Sequence, residues 1–91
     1  MPRPCIRRRV RGQPNTNYFK PAGIPASQLE ETILQNDEFE AIRLIDFNQI
    51  DQKKAAEQMK ISQPTLSRIL GSARKKIADS IINGKAIKIK N

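Results

Sequence analysis

This sequence predicts a mainly α fold. The expected architecture is a helix-turn-helix three-helix core with an irregular, proline-rich basic N-terminal arm and a short C-terminal strand. Three observations lead there. Residues 52–70 set small and apolar residues at the spacing of two steeply crossing helices. Five of the six prolines fall within residues 1–26. From Ala86 to Lys90 apolar and basic residues alternate, with the period of a half-buried strand. The expected division is an arm over 1–26 and a helix-turn-helix domain over 27–91, compact together.

The N-terminal region is read as irregular because each proline removes a backbone donor and disfavours helix at the residue before it. Within it, residues 5–10 are a candidate strand, with Ile6 and Val10 facing inward. Tyr18 and Phe19 are the only adjacent aromatics and are read as anchors that pin the arm to the helical core. Ser27 to Glu30 has capping-box spacing. The next stretch, through Ile33 and Leu34, reads equally as a short helix or an extended piece. Asn36 is the expected cap of the next helix, with Asp37 and Glu38 in its first turn, where the helix dipole favours anions. Phe39, Ile42 and Ile45 recur at helical spacing, so a core-facing helix is expected to about Phe47. Glu38 and Glu40 are read as its solvated face.

Asn48-Gln49 breaks that helix, and Asp51 caps the next one over about 52–60. Ala55 and Ala56 allow close approach of a crossing helix. Ile61 turns the chain, and Ser62 caps the last helix, where Pro64 in the first turn is harmless. Leu66, Ile69, Leu70, Ala73, Ile77 and Ile81 form its expected apolar stripe. Asn83-Gly84 stops it. The terminal strand needs a partner, and residues 5–10 are the obvious candidate.

The 91 residues make a small domain with a thin core, about 60–65% of the unfolded surface being buried at this size. A homodimer is therefore expected to complete it. The net charge is +8, and it is segregated. Residues 1–20 hold six basic residues and no acid; residues 21–51 set seven acids against Arg43; residues 52–91 set ten basic residues against Glu57 and Asp79. A cationic face on the turn-linked helices suits phosphate. One cysteine, Cys5, and no histidine exclude an internal disulfide and leave no zinc set, so no cofactor is expected. There is no apolar run for a secretory signal or a membrane span, so a cytoplasmic protein without a membrane partner is expected. Without histidine, a phosphate-binding glycine loop or an evident carboxylate pair in a cleft, catalysis is not expected.

The expected function is sequence-specific double-stranded DNA binding, as a transcriptional regulator. The second helix of such a pair enters the major groove. Gln63 and Arg68 are the candidate base readers, since Gln pairs with adenine and Arg with guanine through two hydrogen bonds. Ser67 projects beside them. Ser62 opens the helix, where backbone amides favour a phosphate, and Thr65 is a candidate phosphate or methyl contact. Lys53 and Lys54 would sit against the DNA backbone, with Arg74 and Lys75 further along. Arg7, Arg8, Arg9 and Arg11 form a basic arm suited to a minor groove. Two other classes remain: an RNA- or ribosome-binding protein, disfavoured by the lack of aromatic platforms, and an adaptor contacting RNA polymerase.

Blocks along the chain also resemble a known family. They are Met1-Pro2-Arg3-Pro4, Arg8-Arg9-Val10, Pro14, Tyr18 to Gly23 and Pro25, then Asp37 to Leu44, then Ala55-Ala56, Met59, Ser62, Thr65, Arg68 to Leu70 and Ser72 to Ala78. In this order they resemble the UPF0251 (DUF134) family of small prokaryotic proteins, over nearly the whole chain. The resemblance implies a DNA-binding helix-turn-helix similar to region 4 of sigma factors. Some relatives carry a further domain resembling those that bind iron–molybdenum cofactor. The sequence through Asn91 does not contain it, so no cofactor role carries over. Lys60 stands where such relatives usually have glycine, and so must take a left-handed backbone or alter the turn.

Overall fold

The computed structural model describes Gly12 and residues 14–90. Three helices and a π-helical segment account for just over half of them, and a small three-stranded sheet closes one side. Strand β1 is Tyr18–Phe19, β2 is Glu31–Leu34 and β3 is Ala86–Ile89. Helix α1 spans Asn36–Ala41 and runs directly into a π-helical segment, Ile42–Phe47. Helix α2 spans Gln52–Met59 and α3 spans Gln63–Asn83.

The sheet order is β1-β3-β2, with β3 antiparallel to β1 and parallel to β2. The partners of β3 are therefore β1 and β2. The expected partner, residues 5–10, lies outside the described residues. Residues 31–34 resolve as strand, which suits the β-branched pair Thr32-Ile33. Ser27 opens no helix: Ala26–Gln28 is a single 3₁₀ turn that begins after Pro25, without a side-chain cap. Tyr18 and Phe19 are held by the sheet. Their backbone pairs with β3, the Tyr18 hydroxyl donates to Glu31 Oε2 at 2.8 Å, and Phe19 stays exposed.

The larger core cluster joins Ala41 and Leu44 to Ala55, Ala56 and Met59 of α2 and Leu66 and Leu70 of α3. A second cluster, Leu34, Ala73 and Ile89, seats the sheet on α3. The buried line of α3 is Leu66, Leu70, Ala73 and Ser80, and it leaves out Ile81, which is 73% exposed. The pitch explains this. At 3.6 residues per turn the inward place seven residues after Ala73 falls on position 80. Ser80 is tolerated there because its hydroxyl donates to the Lys76 carbonyl at 2.9 Å.

Two acids expected on a solvated face are buried: Glu38 is 5% exposed and Glu40 is 1% exposed. Glu38 is placed by the cap of α1, which is Gln35 rather than Asn36; the Gln35 amide donates to Glu38 Oε1 at 2.8 Å. Lys76 Nζ donates to the same oxygen at 2.7 Å and to the Ile33 carbonyl at 2.8 Å. Ser72 Oγ donates to Oε2 at 2.5 Å. One carboxylate thus joins the end of β2, the start of α1 and the middle of α3. Glu40 receives Arg43 through Nε at 2.8 Å and Nη2 at 2.9 Å, and the Gly12 amide at 3.0 Å. Partners on other elements repay the cost of burying these charges, which is why the helix's own pattern misplaced them.

Lys60 adopts the left-handed conformation, φ 59° and ψ 47°, at the end of α2. A side chain there costs about 1 kcal/mol that glycine avoids. Lys60→Gly is therefore expected to stabilise the chain by about 0.5–1 kcal/mol, read as a raised urea midpoint with unchanged slope. A lowered midpoint would contradict the strain at this turn.

Candidate nucleic-acid interface

The candidate surface is built on the junction of α2 and α3. Asp51 starts α2 by accepting the Lys54 amide at 2.8 Å. Ala55, Ala56 and Met59 face inward, so Lys53 and Lys54 stay exposed. The left-handed Lys60 then reverses the chain. The Ile61 amide returns to the Ala56 carbonyl at 3.0 Å, which fixes the turn. Ser62 starts α3: its hydroxyl accepts the Thr65 amide at 3.2 Å and donates to Thr65 Oγ1 at 2.9 Å.

With Leu66 and Leu70 turned inward, Gln63, Ser67 and Arg68 project outward and are exposed. Among the described residues, no ion pair engages Lys53, Lys54 or Arg68. Ser62 is a helix cap, and Thr65 is half-buried behind it. Lys75 is exposed further along α3. Arg74 is neither free nor simply solvated. It is paired with Asp46, Nη2 to Oδ1 at 2.6 Å and Nε to Oδ2 at 3.2 Å. The Asp46 hydrogen bond raises the Arg74 pKa above its ordinary value. Arg7, Arg8, Arg9 and Arg11 lie outside the described residues.

The junction thus gathers Lys53, Lys54, Ser62, Gln63, Thr65, Ser67 and Arg68, while Arg74 and Lys75 lie further along α3. No signal in the sequence points to Asp46. It stands 28 residues from Arg74, and no local pattern links the two. Among the described residues no group of three or more acids, cysteines or histidines is placed to hold a metal ion. No helix among them is long and apolar enough to cross a membrane.

The family model described as "Protein of unknown function DUF134" matches residues 1–91. The chain belongs to this family. A UPF0251 protein of Caldanaerobacter subterraneus subsp. tengcongensis is 56% identical to it, over 98% of this chain and 75% of the relative. A UPF0251 protein of Thermoanaerobacter pseudethanolicus is 53% identical over the same shares. One from Dehalococcoides mccartyi is 53% identical, over 98% of this chain and 76% of the relative. No solved structure matches the chain significantly. The DUF134 family brings no assigned activity to this chain, so its function has to be sought in the surface itself.

Proposed function

We propose that this DUF134 chain is a sequence-specific double-stranded DNA-binding protein acting as a transcriptional regulator. In this reading α2 and α3 form a helix-turn-helix similar to region 4 of sigma factors, and the first turns of α3 enter the major groove. One observation carries it: Gln63, Ser67 and Arg68 stand exposed on the capped start of α3, beside the exposed Lys53 and Lys54. Arg68 and Gln63 read bases, Lys53 and Lys54 hold phosphates, and the basic N-terminal arm follows a groove. No catalytic role belongs to this reading. A two-fold homodimer would bind a palindrome.

Selection of bound sites from random duplexes tests it, with titration of the selected duplex against salt as the second step. With about six phosphates neutralised, the log–log slope is expected near −5. A slope shallower than about −2, or equal affinity for structured RNA at matched salt, would count against the reading. Arg68→Ala is expected to weaken the selected duplex by about 1–3 kcal/mol and to relax specificity at one position. Unchanged affinity and specificity would favour an adaptor that contacts RNA polymerase.

A further inference from the structure

We propose that Asp46 occupies Arg74 in place of a DNA phosphate and is displaced when duplex binds. The inference rests on the DNA-binding reading and assigns a restraining residue within it. Asp46 comes from the π-helical segment after α1, and Arg74 from the middle of α3. The two carboxylate oxygens take the Nε and Nη2 donors, which form one of the edges by which a guanidinium clamps a phosphate.

Position and exposure make the exchange feasible. Arg74 lies seven residues beyond Ser67, two turns and about 10 Å along the same side of α3. Its side chain is 55% exposed and that of Asp46 39% exposed, so a phosphate oxygen can reach the pair from solvent. Arg43 provides the contrast. Its partner Glu40 is sealed in the protein, so that pair is fixed. An exposed pair contributes little to stability, so a phosphate contact can replace it. Until it does, the carboxylate cancels the Arg74 charge. Asp46 thereby competes with phosphate for one cation of α3 and yields it when a duplex docks along the helix.

The test is a double-mutant cycle on the full chain. Affinity for one duplex of about 20 base pairs is measured at fixed salt for the wild type, Asp46→Asn, Arg74→Ala and the double variant, each checked for an intact thermal transition. Asp46→Asn is expected to bind about two- to fivefold tighter than wild type, and to give no gain in the Arg74→Ala background. Unchanged or weaker binding by Asp46→Asn overturns the proposal, because Asp46 would then be inert or would position Arg74. The same gain in both backgrounds also overturns it, since the effect would be bulk charge alone. A wild-type chain that binds no duplex removes this proposal together with the reading it rests on. A wild-type chain that binds duplex while Asp46→Asn changes nothing removes this proposal only.

Discussion

Glu38→Ala is expected to cost about 3–5 kcal/mol of folding stability. A chain of this length has roughly 5–14 kcal/mol in total, so the variant should lose about a fifth of it or more. The reason is what the substitution leaves behind. The Gln35 amide loses its acceptor, Ser72 Oγ loses its partner, and the Lys76 ammonium keeps only the Ile33 carbonyl. Urea unfolding monitored by circular dichroism measures the loss. Replacing both charges with apolar residues, Glu38→Leu with Lys76→Met, should restore at least half of it, because no orphaned charge remains. A double variant no better than Glu38→Ala would show that the loss comes from packing and not from the ion pair.

The same carboxyl makes stability depend on pH. Burial pushes its pKa up, but the hydrogen bonds from Lys76, Ser72 and the Gln35 amide, with the Lys76 charge, outweigh burial and hold it below the ordinary 4.5. A carboxyl with a lowered folded pKa stabilises the fold above its unfolded value. That stabilisation is lost as pH falls below 4.5 and through the folded value. Glu38→Gln keeps the shape and removes the titration, so its stability should fall less steeply than wild type on the acid side.

Leu66→Ala is the second large effect, expected at about 3–5 kcal/mol. Leu66 is 0% exposed and stands where α3 crosses the paired alanines of α2. The core cluster around it has seven buried members, three of them alanines, so losing one of its large side chains leaves a void in a thin core. Ile81→Ala is the matched control. Both residues belong to the stripe that the sequence suggests, yet only Leu66 is buried, so Ile81→Ala should change stability by less than about 0.5 kcal/mol. Equal costs would contradict the inward line of α3.

The contrast between Leu66 and Ile81 also shows how much of this fold was legible in the sequence. Signals around the α2–α3 turn and at the end of α3 read correctly, whereas the capping-box spacing at Ser27 and the cap expected at Asn36 did not. Asp51 and Ser62 each accept an amide three residues on, Ala55 and Ala56 face inward, and Gly84 ends α3; of the two outcomes open at Lys60, the left-handed backbone is the one found. A stripe extended over about four turns drifted off the true pitch and took in Ile81. Partnerships between distant segments were not legible. The strand at residues 31–34 is too short to declare its period, and β3 finds it 55 residues away. Glu38 was recoverable in part, because Gln35 and Glu38 have capping-box spacing, whereas Ser72 and Lys76 lie beyond any local pattern. The exposed candidates Gln63, Ser67 and Arg68 were legible because burial of Leu66 and Leu70 on the same helix dictates them. The Asp46–Arg74 pair was not.

The central place of β3 has a consequence for how the chain is made. In the order β1-β3-β2, the first two strands to leave the ribosome do not pair with each other, and each waits for the third. A nascent chain that has emerged only to residue 85 lacks the strand that both others pair with. Closing so long a loop before any strand contact rewards it slows this step. The sheet is therefore expected to form last, once Ile89 has cleared the exit tunnel, and until then the apolar side of α3 around Ala73 lacks the cover that Leu34 and Ile89 give it.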